Sequence, residues 1–505
     1  MRGPLVATVL LLVQCITGCA SRSALVKDIR ETRTAAYNQW VQMREAQEDS
    51  EVGISGKLSL EDAVKLAILQ NKQLLATLQE KEIARGQVIE SYQEALPNVS
   101  ATGTYTRLDK VNTFDVGDIS IALGDVDNYS VDLTVSQPLF RGGRIGAALR
   151  AAKLAELLSD EVVRSALQGT IYEVALAYYD ALLFQHQYEV NDDAVRSATV
   201  HLEDVITKRK LGVASDYDVL RAEVDVTNFR AEMIKQKNNV DLAKTRLLRA
   251  MGVLQRGDIE LADKLEYRPI RPVLEESLKI AHENRPDLYQ AELNVRLQKE
   301  ALRVAKSQYW PQIDAFFQEL WGKPDPSSTT TNEWGDTWNA GVSVQLSIFD
   351  GLGREGRVHQ QKATLDQSRY RLANTQEQAF LEIRQSLLTL RNAEEFVESQ
   401  KMNRSRAREG LRLAEVGYRE GIASEVEVSD ARSALTTARG LYFESVYGHA
   451  VSRLNLQLAM GILGPKPGEG GQGSEYVPEA FFLREAAGTT IQPEQQEEES
   501  QPNAP

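Results

Sequence analysis

The sequence predicts an α+β fold built by internal duplication, each half running helix, two strands, long helix, turn, helix. Three observations carry this. First, Leu60-Glu61-Asp62-Ala63-Val64-Lys65-Leu66-Ala67 lines up with Leu274-Glu275-Glu276-Ser277-Leu278-Lys279-Ile280-Ala281. The match continues from Leu96-Pro97-Asn98-Val99 to Trp310-Pro311-Gln312-Ile313, from Gly212-Val213-Ala214-Ser215 to Gly421-Ile422-Ala423-Ser424, and from Met251-Gly252-Val253 to Met460-Gly461-Ile462. The shift shortens between the prolines and the Gly-x-Ala-Ser motifs, where a variable loop belongs. Second, no proline falls between Arg144 and Leu211, so a single rod about 100 Å long is expected there. Third, Tyr129, Val131, Leu133 and Val135 alternate with Ser130, Asp132, Thr134 and Ser136, the period of a strand with one apolar face.

From the N-terminus, Arg2 precedes an apolar run from Leu5 to Val13, the length of a secretory h-region and too short to span a bilayer. It ends in Ile16-Thr17-Gly18-Cys19, which resembles the bacterial lipoprotein box, whose cysteine becomes the acylated first residue. Residues 1–18 are then a signal peptide and 19–55 a lipidated N-terminal segment, with Trp40 an interfacial anchor. Cys15 leaves with the signal, so the mature chain holds one cysteine and no disulfide. One acyl chain binds membranes weakly, so a second membrane contact is expected.

Repeat 1 spans 56–269: a helix over about 59–95, a β-hairpin over about 97–140, a long helix over about 144–211 and a helix over about 216–251. Repeat 2 spans 270–464, with a helix over about 272–309, a hairpin over about 311–349, a long helix over about 354–419 and a helix over about 425–461. Pro97 and Pro311 end the incoming helices, because the residue before proline avoids the α region. In the second hairpin Trp338, Ala340, Val342 and Val344 alternate with Asn339, Gly341 and Ser343. Trp310, Trp321, Trp334 and Trp338, with Phe316 and Phe317, cluster there like the aromatic girdle of a membrane barrel. Leu176, Tyr179, Leu183, His186 and Val190, and in the second copy Phe380, Ile383, Leu387, Leu390 and Val397, step at coiled-coil spacing. Two of the shorter helices end to end match one long rod. Residues 465–505, rich in Gly, Gln, Glu and Pro, form an acidic tail of disordered composition, interrupted by Phe481-Phe482-Leu483.

The net charge of −14 argues against nucleic acid as a partner. His186, His201, His282, His359 and His449 are scattered without metal-ligand spacing, and no Walker loop or nucleophile elbow is present. An enzyme has no acid, base, nucleophile or metal cluster to stand on. Gly351, Gly353 and Gly356 imitate a dinucleotide loop, but that motif needs a second parallel strand soon after the helix. Here a long helix follows. The duplicate around Pro138, Phe140 and Gly142 lacks the spacing. Both copies instead read as a strand-to-helix junction: a strand end, a bulky anchor (Phe140, Phe349) and glycines (Gly142; Gly351 and Gly353) before a helix.

Four strands per chain cannot close a membrane barrel, whose smallest members need about eight. An open edge in lipid would strand backbone polar groups. Several chains must share one barrel: two would give about eight strands, three about twelve with room for a passage.

The lipobox, the duplicated plan, Pro138-Leu139-Phe140-Arg141-Gly142-Gly143 and Ser347-Ile348-Phe349-Asp350-Gly351 resemble the TolC-type outer-membrane efflux family over about residues 56–464. Lipid on Cys19 resembles its lipoprotein branch. The resemblance implies a homotrimer: a twelve-stranded β-barrel in the outer membrane, continued by a coiled-coil periplasmic tunnel. The duct would work with a periplasmic membrane-fusion adaptor and an inner-membrane pump, without a cofactor beyond the lipid. Loops at about 108–128 and 322–337 would face outside.

The turns Lys210-Leu211-Gly212-Val213-Ala214-Ser215 and Glu420-Gly421-Ile422-Ala423-Ser424 pair a C-cap glycine with an N-cap serine, good helix-reversal chemistry in itself. By resemblance these tips dock the adaptor and close the tunnel. Carboxylates near them (Asp216, Asp218, Glu420 and Glu425) are gate candidates, since threefold assembly turns an inward carboxylate into a cation-favouring ring. Two alternatives share parts of this architecture: a type I protein-secretion duct, and a structural coiled-coil lipoprotein without a pore.

Overall fold

A computed structural model describes residues 32–33, 35–42, 57–116, 119–253, 259–328 and 332–464. The expected signal peptide, Cys19 and the acidic tail with Phe481-Phe482-Leu483 lie outside them. Residues 35–42, which include Trp40, are helical. The first half comprises β1 (Lys57–Leu58), α1 (Leu60–Gln70), α2 (Lys72–Ser91), a 3-10 turn (Tyr92–Glu94), β2 (Asn98–Arg107), β3 (Asn112–Val116), β4 (Ile119–Leu123), β5 (Asp127–Arg141), α3 (Arg144–Lys210) and α4 (Asp216–Met251). The second comprises β6 (Glu260–Leu261), α5 (Leu274–Asn284), α6 (Pro286–Ser307), β7 (Gln312–Lys323), β8 (Gly335–Gln345), α7 (Gly353–Arg419) and α8 (Glu425–Ala459).

α3 and α7 each run 67 residues, the rods expected from proline-free sequence. α4 lies along the distal part of α3, and α8 along that of α7; α2 and α6 cover the ends nearer the strands. The end-to-end length match therefore holds. Ile383, Leu390 and Val397 are all buried at steps of seven, the heptad seam. His186 stacks on Phe443 of α8 at 4.4 Å between ring centroids, a packing role.

The helices expected over about 59–95 and 272–309 are each broken once. Asn71 takes an extended backbone, and its carboxamide oxygen accepts from Leu74 N–H at 3.0 Å. It thus caps a new helix where the first stops. Arg285 is extended for another reason: Pro286 follows as the first residue of α6, and proline disfavours α geometry in the residue before it.

Both breaks dock the returning helix. Asn71 Nδ2 donates to Ala250 O at 2.8 Å, and Arg285 Nη1 to Ala459 O at 2.9 Å. Gly252 and Gly461, at φ 80° and 71°, lie so close that a Cβ would meet backbone of the break at 2.5 Å and 2.8 Å. The main core gathers here, around Val64, Ile171, Val174, Tyr178, Leu247 and Met251. The Tyr178 hydroxyl lies 2.8 Å from both Leu58 O and Asp263 Oδ2. It tethers the short parallel pair β1–β6, and burial raises its phenol pKa.

β2, β5, β7 and β8 form one antiparallel sheet in the order β2-β5-β7-β8, so the two predicted hairpins join through β5 and β7. The loop expected over 108–128 is more than a loop, for β3 and β4 pair there as a small separate hairpin.

Candidate channel wall and tip

Register sorts the sheet into two faces. Because Tyr105 pairs with Tyr129 and Tyr129 with Lys323, residues in phase with them share one side. That side carries Val99, Val131, Leu133, Val135, Phe317, Trp321, Trp338, Val342 and Val344. The opposite side carries Ser100, Thr102, Thr104, Ser130, Asp132, Thr134, Ser136, Gln318, Asn339 and Ser343. The expected alternation therefore extends across all four strands.

From Ile313 to Lys323 the apolar face rises about 26 Å at a tilt of about 40°, close to the apolar band of an outer-membrane barrel. Tyr105, Tyr129 and Trp334 cluster at one end, and Trp310 stands at the other beside Gly142. Between these ends Phe317 and Trp338 stack with ring centroids 6.3 Å apart, so the aromatics spread along the apolar face rather than forming one group. Phe316 departs from the expected cluster: it lies on the polar side, over Gly341, where a Cβ would come within 3.0 Å of its ring. Glu319 is the reverse exception, on the apolar side between Leu133 and Trp338. Among the described residues no helix is long and apolar enough to cross a membrane.

The junction residues are partly reassigned. Pro138 sits where the β5–β7 register shifts, as expected of a residue that cannot donate to a ladder. Gly142 and Gly143 turn the first corner at φ 61° and 85°. In the second copy the left-handed residues are Gly351 and Leu352, at φ 67° and 68°; Gly353, expected as a corner, is already the first residue of α7. Asp350 closes this corner, its Oδ2 accepting from Arg354 N–H and Arg357 Nη2, both at 3.0 Å. Phe140 and Phe349 do not anchor within the chain; both are exposed. Pro97 and Pro311 precede β2 and β7 directly, with each incoming helix already ended.

Both tips follow the predicted reversal chemistry. Gly212 and Gly421 adopt φ 76° and 75°. Val213 N–H reaches Lys208 O at 3.0 Å, and Ile422 N–H reaches Gly417 O at 2.8 Å, the long-range bond of a Schellman ending. Ser215 forms a capping box with Asp218, and Ser424 accepts from Glu427 N–H. Leu211, Val213 and Ile422 are largely exposed; Lys210, Gly212, Ala214, Glu420, Gly421 and Ala423 complete the two turns.

The four gate candidates separate. Asp216 pairs with Arg209 at the surface. Asp218 is held by the capping box, accepting from Ser215 N–H at 2.8 Å. Glu420 is exposed. Glu425 differs from the expected inward carboxylate: it is 3 % exposed, with its oxygens 2.7 and 2.8 Å from His201 Nε2 on α3. A group so enclosed lies inside the chain, not on its wall. Tyr418 stands beside this pair, with Lys208 Nζ 3.9 Å from its ring centroid. Burial, with the carboxylates of Glu425, Asp218 and Asp204, pushes its phenol up to about 12. Sequence reading missed His201, Tyr418 and Lys208 as tip residues, because only folding brings positions so far apart in the chain together.

The model of the family described as outer membrane efflux protein matches residues 63–253 and 278–462. The chain is 23% identical over 405 residues to a probable efflux pump outer membrane protein, TtgC of Pseudomonas putida, covering 80% of this chain and 83% of that protein. It is 24% identical over 429 residues to the proteases secretion protein PrtF of Dickeya chrysanthemi, covering 81% and 90%. Its fold matches the crystal structure of CusC with a TM-score of 0.69 at 18% identity, over 80% of this chain and 92% of that one. A duplicated rod-and-sheet architecture, a sheet with one apolar and one polar face, and a family match across both halves agree: the chain belongs to the outer membrane efflux protein family, and it is an outer-membrane efflux channel, not an enzyme.

Proposed function

We propose that three copies assemble into a duct that passively conducts substrate delivered by a periplasmic adaptor and an inner-membrane pump. The observation that carries this is the sheet with two unlike faces and two open edges. Within the described residues β2 and β8 each pair on one side only. Edges left open in lipid would cost several kcal/mol per unsatisfied group. Three copies give twelve strands and a lumen lined by the serine, threonine and asparagine face. The rods then continue that lumen as a tunnel, and the tips dock the adaptor. Of the gate candidates, Asp216 and Glu420 stand exposed at the tips, whereas Asp218 and Glu425 are engaged by Ser215 and His201.

Acylation of Cys19 would add a lipid anchor. Supporting it is the Ile16-Thr17-Gly18-Cys19 motif; a single acyl chain holds weakly, and the sheet would supplement it. A type I secretion duct is the second reading, favoured by the likeness to a proteases secretion protein.

Purified full-length protein should run as a heat-modifiable trimer in mild detergent and conduct ions in planar bilayers. A monomer in every detergent, or a trimer that never conducts even with its tip carboxylates neutralised, would refute the duct.

A further inference from the structure

α6 and α8 stand end to end between α3 and α7, and where they meet the helices leave a cleft of about 620 Å³. Gln168 of α3, Thr389 of α7 and Asn455 of α8 give it neutral hydrogen-bonding walls. Its charge comes from the helix break. Buried at the edge of the cleft, Arg285 meets Asp287 at 2.7 and 3.0 Å and Glu382 at 2.8 Å. One guanidinium against two carboxylates leaves one negative charge unbalanced, and among the described residues no other charged side chain lines the cleft. Asp287 and Glu382 are 42% and 40% exposed, so that charge is open to a guest. Docking of the returning helix does not need it. Asn71 docks Ala250 with a neutral carboxamide in the first half, and the repeat shift puts Gln73 where Asp287 stands.

The cleft also has a side. At about 100° per residue, Ser165 and Gly169 fall on the face of α3 opposite Ile171, Val174 and Tyr178, which belong to the main core. On α7, Gln385 turns away from Leu387 and Leu390, which pack with Ile280 of α5. The cleft therefore opens on the side of the rods away from α5 and the main core. In a tunnel walled by these rods, that side is left for the lumen.

We propose that this cleft is a subsite in the tunnel wall for organic monocations in transit, one in each copy. The carboxylates of Glu382 and Asp287 attract the cation, while the carboxamides and hydroxyls of the walls bond its polar groups. Its volume suits a drug-sized guest, and the same unbalanced charge disfavours anions. The inference names a substrate class for the duct and rests on that reading of the chain.

Full-length trimer in mild detergent, titrated with the fluorescent monocation ethidium and followed by fluorescence anisotropy, tests this. The original protein should bind ethidium saturably and leave the anionic dye fluorescein free. Glu382→Gln should weaken ethidium binding several-fold. That change also removes a partner of Arg285, so Gln385→Lys supplies a second arm. Gln385 is exposed; the lysine leaves the triad intact, sets a fixed ammonium in the cleft and should abolish binding. In planar bilayers ethidium should lower the potassium current of the original protein, and do so less in Gln385→Lys. Equal ethidium affinity in the original protein and both variants, with the trimer conducting, would overturn the subsite and leave the duct standing. Binding lost on joint Asp216→Asn and Glu420→Gln, but kept in Glu382→Gln, would put the cation at the tips and overturn the cleft. Saturable binding with no effect on current would take the cleft off the lumen wall and overturn the transit role. An original protein that forms no conducting trimer would refute the duct itself, and the wall subsite with it.

Discussion

At the strand-to-helix corner the first half uses Gly142 and Gly143, whereas the second uses Gly351 and Leu352, all at positive φ. The backbone path is shared, but the surroundings are not. A Cβ on Gly142 would fall 2.5 Å from Ser307 O and 2.7 Å from Trp310 Cβ, while one on Gly351 would meet nothing within 4 Å. Duplication has preserved the turn while tolerance at each position is set by what packs against it. Gly142→Ala should therefore have the largest effect, costing about 2–5 kcal/mol from left-handed strain and overpacking together. Gly351→Ala should cost only the strain, about 1–2 kcal/mol. Thermal unfolding of the two purified variants checks this, and equal losses would show that packing at Ser307 and Trp310 is not what separates the corners.

The long helices differ in the same manner. α3 is covered within the chain by α2, α4, α6 and α8, and Ile171, Val174 and Tyr178 are fully buried. α7 leaves Tyr370, Leu381, Leu388, Phe396 and Met402 exposed, the side on which a trimer would seat its neighbour. This contrast also marks what could be read from sequence. Rod lengths, the alternation of Tyr129 to Val135 and the Gly-x-Ala-Ser tips were legible because each rests on local periodicity or cap chemistry. The break at Asn71 was not, since a helix period runs through it and only docking of Ala250 explains the cap there. Leu352 escaped notice because sequence patterns look for glycine at positive φ. The Glu425–His201 contact joins two halves of the chain, and no spacing rule reaches that far.

The halves diverge again between α8 and α4, where His449 of α8 stands opposite Val240 of α4 in the repeat alignment. His449 is 1 % exposed, edge-on to the Tyr267 ring at 4.9 Å, with Nε2 3.8 Å from Glu394 Oε1. Burial, helped by Arg453, lowers its pKa to about 4. The folded state therefore binds its proton less readily than the unfolded chain. Stability from this site is complete above the ordinary histidine value and is lost as pH falls from about 6.5 toward 4. The loss is at most about 3 kcal/mol. His449→Gln should flatten the fall in melting temperature between neutral and mildly acidic buffer; an unchanged slope would place the acid sensitivity elsewhere.

The smallest effect is expected to have the opposite sign. Leu352 is 65 % exposed and held at φ 68°, so its side chain gains little from packing while its backbone carries left-handed strain of about 1–2 kcal/mol. Glycine would remove that strain but add unfolded-state freedom worth about 0.4–1 kcal/mol. Leu352→Gly, which gives the second corner the glycine pair of the first, should therefore stabilise the protein by about 0.5–1 kcal/mol. Leu352→Asn, which tolerates the left-handed region and adds less freedom, should do at least as well. A melting temperature lowered by both substitutions would mean that the exposed leucine is covered in the assembled duct. The second corner would then have traded backbone ease for a contact that a single chain does not contain.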